Sequence, residues 1–198
     1  MLTAKRNHHH FRATPLAATH TVAGSPRRGD AESFIRGVFS RHYGASVPSF
    51  APNLLLLERD ERIVAAAGWR PARDDSLFLE CYLDEPIEGA VSRLAGHPVP
   101  RASIVEVGNL AAERPGGSLD VIATLSDHLH GLGYEWVVFT ATRELIGIFA
   151  RIGLPLPVVA RADPVRLGTT ASAWGSYYDR DPIVVAGRIR LAFERRRP

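Results

Sequence analysis

Between residues 103 and 153 the chain runs through four segments of alternating hydrophobic period. "SIVEVGNLA" (103–111) is rich in β-branched residues and reads as a strand. "SLDVIATLSDHLHGLG" (118–133) has apolar residues at helical spacing, with Ser118 placed to cap it. "YEWVVFTAT" (134–142) is a second strand, and "RELIGIFARIG" (143–153) a second helix that Gly153 stops. Such alternation requires a sheet with helices packed on it, an α/β layered domain with a mixed sheet.

The flanking segments extend the pattern. A helix is predicted over about 31–43, capped by Asp30, with Phe34, Val38 and Phe39 on one side and Gly44 as its stop. Leu54–Leu57 and Ile63–Trp69 form a hairpin around Arg59, Asp60 and Glu61. "LFLECYL" (77–83) reads as a third strand, 85–96 as a helix with Pro86 in its first turn, and 154–162 as an extended segment. The tail is expected to run as a loop of small and aromatic residues, then as a basic amphipathic helix from about Pro182. Residues 1–29 are polar and basic and are expected to form a flexible arm ahead of a single domain, 30–198.

Composition removes several function classes. No stretch of 18 apolar residues occurs, so no membrane-spanning helix is expected. The single cysteine, Cys81, cannot form an internal disulfide, which fits a cytoplasmic protein, and it reads as a half-buried thiol rather than a nucleophile. His8, His9 and His10 stand in the arm without a second ligand cluster, so no metal is expected. The net charge of +3 comes from basic ends, read as solvated tails; they are compatible with an acidic partner, and no nucleic acid is expected.

Glu106 is the residue that most needs explaining. A carboxylate inside an apolar strand is costly unless it is paired or sits in a cleft. Desolvation raises its pKa, which suits a general base; the alternative is a structural carboxylate held by Arg70 or Arg143. The same strand opens into Gly108-Asn109 and then "ERPGGS" (113–118) ahead of a helix. Glycines and a free helix N-terminus can cradle a phosphate there, or the segment is an ordinary turn.

The element order resembles the GNAT acyltransferase superfamily, in which a central strand leads through a glycine-bearing loop into a helix. "ERPGGS" is similar to that loop in compressed form. Phe149 and Gly153-Leu154 fall where the superfamily has its aromatic-x-x-x-Gly signature, with phenylalanine in place of the tyrosine that many members use as an acid. "GWRPARDDSLFL" (68–79), "EVGNL" (106–110) and "ARIGLP" (150–155) resemble motifs of the acyl-homoserine lactone synthases, with Glu106 on their glutamate, Gly108 on a serine and Asn109 on an arginine. "FIRGVFSRHYGASVPSFAPNLL", "FLECYLDEPIE", "IVEVGNLAA", "WVVFTATREL" and "WGSYYDRDP" resemble the thermostable hemolysin family over about 33–190.

These resemblances imply a GNAT-like fold and acyl transfer to a small amine, such as an amino acid or derivative. The donor would be an acyl carrier protein thioester, through its phosphopantetheine, or acyl-CoA; no permanently bound cofactor is implied. Glu106 would be the base and Asn109 an oxyanion donor. Val107, Gly108, Leu110, Arg114, Gly116, Gly117, Ser118 and Arg143 would hold the donor. Trp69, Arg70, Glu80, Tyr82, Thr140, Thr142, Trp174 and Tyr177 would line the substrate sites. Two other readings stay open: a membrane-active protein using its C-terminal helix, and a non-catalytic binding module.

Overall fold

The computed structural model describes residues 15–114, 116–154 and 156–194. Seven strands form one mixed sheet: β1 (Ala17–Val22), β2 (Asn53–Arg59), β3 (Arg62–Pro71), β4 (Ile104–Ala112), β5 (Trp136–Ala141), β6 (Val158–Arg161) and β7 (Ile183–Arg188), in the order β1-β2-β3-β4-β5-β7-β6. Only β4 and β5 run parallel, joined by α3 (Gly117–Gly131). The other helices are α1 (Arg28–Tyr43), α2 (Ile87–Ala95), α4 (Arg143–Arg151) and α5 (Ile189–Glu194). A mixed sheet flanked by helices is the arrangement expected of a GNAT-like α/β domain.

The period of two sorts the strand residues between two cores. Leu54, Leu56 and Ala66 face α1, which buries Ala31, Ile35, Val38 and Phe39 against them. Leu55, Leu57, Ala65, Ala67 and Val105 face α3, whose Val121, Leu125 and Leu129 lie four residues apart on one side. The β2–β3 turn is tight because Asp60 and Glu61 both take left-handed backbone, at φ 51° and 63°. That geometry matches the twist of the strands it joins.

Four expectations need correction. Residues 17–22, assigned to a mobile arm, form the edge strand β1 along β2; residues 1–14 lie outside the described ones. Asp30 does not cap α1: the helix begins at Arg28, whose guanidinium bonds the carbonyls of Ala51 and Pro52. Ser118 likewise lies inside α3, and Gly116, at φ 94°, occupies the cap. The basic helix predicted from Pro182 is mostly β7, buried between β5 and β6; a strand covered on both faces reads as a continuous apolar run rather than an alternating one. No described helix is long and apolar enough to cross a membrane.

The segment 77–83 departs furthest. It is a 3-10 helix, Phe78–Tyr82, not a strand. Glu80 folds back to accept the N–H of Leu77 at 2.8 Å and of Ile87 at 2.9 Å. Arg101 clamps the same carboxylate at 2.6 and 2.8 Å, and also bonds Glu88 and the carbonyl of Ala72. Burial alone would raise the Glu80 carboxyl, but the Arg101 hydrogen bonds and those two backbone N–H groups hold it down at about 2.

A second 3-10 segment, Pro164–Arg180, straps the α1 side of the sheet, with non-helical kinks at Gly168 and Gly175. At Gly175 a Cβ would lie 2.0 Å from the Tyr43 carbonyl oxygen, and φ is 54°, so only glycine fits.

Two stability outcomes follow. Gly175→Ala should destabilise the protein by at least about 1–3 kcal/mol in denaturant unfolding, from backbone strain and the clash together. Glu80 has a depressed folded-state pKa, so its contribution is present above the ordinary value of 4.5 and is lost as pH falls through about 2. Acid titration of Glu80→Gln should therefore show a shallower loss of stability over that window than the unmodified protein.

Candidate active site

The site begins where the β4–β5 ladder ends. Pairing runs from Ile104↔Trp136 to Val107↔Phe139 and stops. Beyond that point β4 stays with β3 and β5 stays with β7, so the sheet splits. On its other edge β4 is bulged: Ala66 pairs with Ala111 and Gly68 with Gly108, leaving Asn109 and Leu110 opposite Ala67. Asn109 takes φ 51° to make the bulge, a conformation that asparagine tolerates better than most residues.

A cavity of about 290 Å³ opens at this split and reaches both faces of the sheet. Its α1-side half holds Glu106 and Arg70 under an aromatic wall that includes Phe78, Tyr82, Trp174 and Tyr177. Its other half is apolar, formed by Ile122 and Leu125 of α3, Ile148 and Phe149 of α4, and Leu154 and Leu156 beyond. Val107, Gly108, Leu110 and Thr140 lie along the opening itself.

Glu106 is 8% exposed. Its two oxygens accept the N–H groups of Phe78 and Leu79, each at 2.9 Å. Burial pushes its carboxyl above the ordinary carboxylate range, against the pull of those two N–H groups and of Arg70. A carboxylate oxygen has two lone-pair sites, so one on each stays open to a ligand. Arg70 is the register partner of Glu106 across β3 and β4 and shares its face. It donates to the Ser76 carbonyl at 3.3 Å. Neither Arg70 nor Arg143 forms the structural salt bridge with Glu106 that the sequence left open.

The aromatic wall is a hydrogen-bonded and stacked unit. Tyr82 and Tyr178 share a short hydroxyl–hydroxyl bond. Tyr177 donates to the Thr140 carbonyl at 3.4 Å and meets Tyr43 edge-on at 5.3 Å. Burial raises all four phenols, Tyr178 to about 12. They are neutral donors at any physiological pH. Thr142, buried, caps α4 through its hydroxyl and also borders the cavity.

Several expected site residues stand elsewhere. Trp69 points to the opposite face from Arg70, into a cluster with His20, His128 and Tyr134, as strand alternation requires. Glu80 faces a separate open concavity and serves the Arg101 clamp. Arg143 is exposed and pairs with Asp181. Asn109 borders the cavity, but its side chain accepts from the Ala51 N–H at 2.9 Å and donates to the Ser49 carbonyl at 3.3 Å, tying down the 49–51 loop.

In the turn ahead of α3, Arg114 is exposed, Gly116 takes the positive-φ cap, and a Cβ on Gly117 would meet Ala112 at 3.2 Å. Of the residues expected to form a donor-binding turn here, only Ser118, inside α3, reaches the cavity. Cys81 is exposed rather than half-buried, and partial desolvation of its sulfur raises the thiol pKa, the reverse of what a nucleophile needs. Sequence reasoning missed Phe39, Tyr43 and Phe78. The first two look like ordinary apolar positions of α1, and Phe78 was placed in a strand.

The fold is shared with solved acyltransferase structures. The AHL synthase LasI matches with a TM-score of 0.59 at 10% identity, covering 90% of this chain and 94% of that one. BjaI, a CoA-dependent acyl-homoserine lactone synthase solved with MTA, matches at 0.61 and 16%, covering 91% and 87%. FeeM, an N-acyl amino acid synthase from uncultured soil microbes, matches at 0.57 and 11%, covering 91% and 94%. No curated protein matches in sequence. The family model for thermostable hemolysin matches residues 21–193, nearly the whole domain built around this split sheet, and the chain belongs to the thermostable hemolysin family.

Proposed function

We propose that this protein is an N-acyltransferase that moves an acyl group from a thioester to a small amine. The observation that carries the reading is the cavity through the split sheet. It joins a buried carboxylate, its pKa raised by desolvation, on one face to an apolar lobe on the other. A thioester donor, acyl carrier protein or acyl-CoA, needs both: a strand-like slot for its pantetheine and an oily seat for its acyl chain. The unpaired β5-facing edge of Gly108–Leu110 supplies the slot, and the Ile122–Phe149 lobe supplies the seat. The related folds of LasI, BjaI and FeeM support the same reading.

The chemistry follows from the groups present. Glu106 accepts one proton from the incoming ammonium, giving the free amine. The amine nitrogen bonds to the thioester carbon, and the carbonyl oxygen gathers negative charge. Backbone N–H groups of the bulged β4 segment stabilise it, since the Asn109 amide is committed to the 49–51 loop. The C–S bond then breaks, and the nitrogen's second proton ends on the departing sulfur. Phe149 has no proton to give, so this transfer runs through the neutral phenols of the aromatic wall or through water.

The test is thiol release from acyl-carrier and acyl-CoA thioesters in the presence of amines. Glu106→Gln should lower the rate roughly 10²- to 10⁴-fold. In the unmodified protein the rate should climb with pH as Glu106 loses its proton, with a midpoint above 4.5, and the Gln variant should lack that limb. Unchanged rates in Glu106→Gln would refute the assignment. A second measurement addresses the lobe: Ile148→Trp fills it, and should shift donor preference towards short acyl chains while leaving short-chain turnover nearly intact.

A further inference from the structure

The α1-side half of the cavity holds two opposite charges that do not pair with each other. Arg70 and Glu106 sit directly across from one another on β3 and β4 and border the same space. Side chains in that relation start about 4.5–5.5 Å apart at Cβ. Glu106 turns both oxygens to backbone N–H groups. Arg70 uses one of its five donors, in a long bond to Ser76, and forms no ion pair among the described residues. Arg27, Arg28 and Arg101, by contrast, each fill part of their fork with a carboxylate. A half-buried guanidinium under an aromatic wall, with its fork unfilled, is an anion site.

Building on the acyl-transfer reading, we infer that the acceptor is an α-amino acid. Its carboxylate takes the Arg70 fork in bidentate fashion, and its ammonium lies on the open lone pairs of Glu106. The order of charges across the strands, cation on β3 and anion on β4, is the complement of a zwitterion whose two charged groups share one carbon. The same contact that recognises the amine is the one that deprotonates it, so binding places the nitrogen at the base. Tyr82 and Trp174 offer the amino acid's side chain an apolar seat. A simple amine would leave the half-buried guanidinium fork unfilled.

The experiment compares each protein L-amino acid with its carboxamide, which keeps the amine and the side chain and loses only the carboxylate. Binding is measured first, without a thioester, by calorimetry and by thermal shift; thiol release is measured second. The inference expects at least one amino acid to bind roughly 10- to 100-fold more tightly than its amide. Arg70→Gln should erase that gap, and Arg70→Lys should recover only part of it. Melting curves of both variants establish that they are folded. Equal binding of acid and amide, or a gap that survives in Arg70→Gln, overturns the inference even if thiol release proceeds. Carboxylate-dependent binding with no thiol release from any donor upholds the acceptor site and refutes the transferase reading instead.

Discussion

Everything at the candidate site depends on a hydrogen-bond ladder that stops early. β4 and β5 share pairs only as far as Val107 and Phe139, and each then follows a different neighbour. A sheet normally closes such a gap, because unpaired N–H and C=O groups in a protein interior are expensive. Here the bulge at Asn109 and the antiparallel pull of β7 on β5 hold it open. The split turns a continuous wall into a passage, and the two cores on either side of the sheet become the two ends of one cavity.

Glu106 converts that passage into a place for chemistry. Its carboxylate binds the first N–H groups of the Phe78–Tyr82 turn, a short-helix version of an anion at a helix N-terminus. The turn in turn carries Phe78 and Tyr82 into the wall. Sheet, turn and wall are thus linked through one buried side chain, and the Glu80–Arg101 clamp fastens the turn from the other side. Any ligand that alters the charge of Glu106 acts on the bonds that shape its own pocket.

How much of this was legible in the sequence varied with the range of the forces involved. The hairpin, the central strands and α1 to α4 followed from period and stop signals, because their cores are local faces. Arg70 and Glu106 stood out because a charge in or beside an apolar strand is conspicuous, and both border the cavity. Trp69 was misplaced for want of one parity step: the residue beside Arg70 necessarily faces the other core. The 77–83 segment alternates well enough to be a strand; what curls it is a carboxylate some 27 residues away, on β4, that takes the N–H groups of Phe78 and Leu79, together with Glu80, which takes that of Leu77. β7 looked helical because burial on both faces removed the alternation that marks a strand. Asn109 drew attention for its side chain, whereas its contribution is the backbone turn it permits.

The strap from Pro164 to Arg180 has a different standing from the sheet beneath it. It is held by side-chain and loop bonds alone, from the Ser46 N–H to Ala173, from the Ser176 hydroxyl to Tyr43, from Tyr177 to Thr140 and between Tyr178 and Tyr82, with glycine kinks within it. None of the sheet's ladder bonds pass through it. Half of the aromatic wall therefore belongs to a unit that can detach at a free-energy cost well below that of global unfolding. The pocket therefore has a roof less firmly fixed than its floor, and amide exchange in residues 164–180 would run on a clock separate from that of the strands.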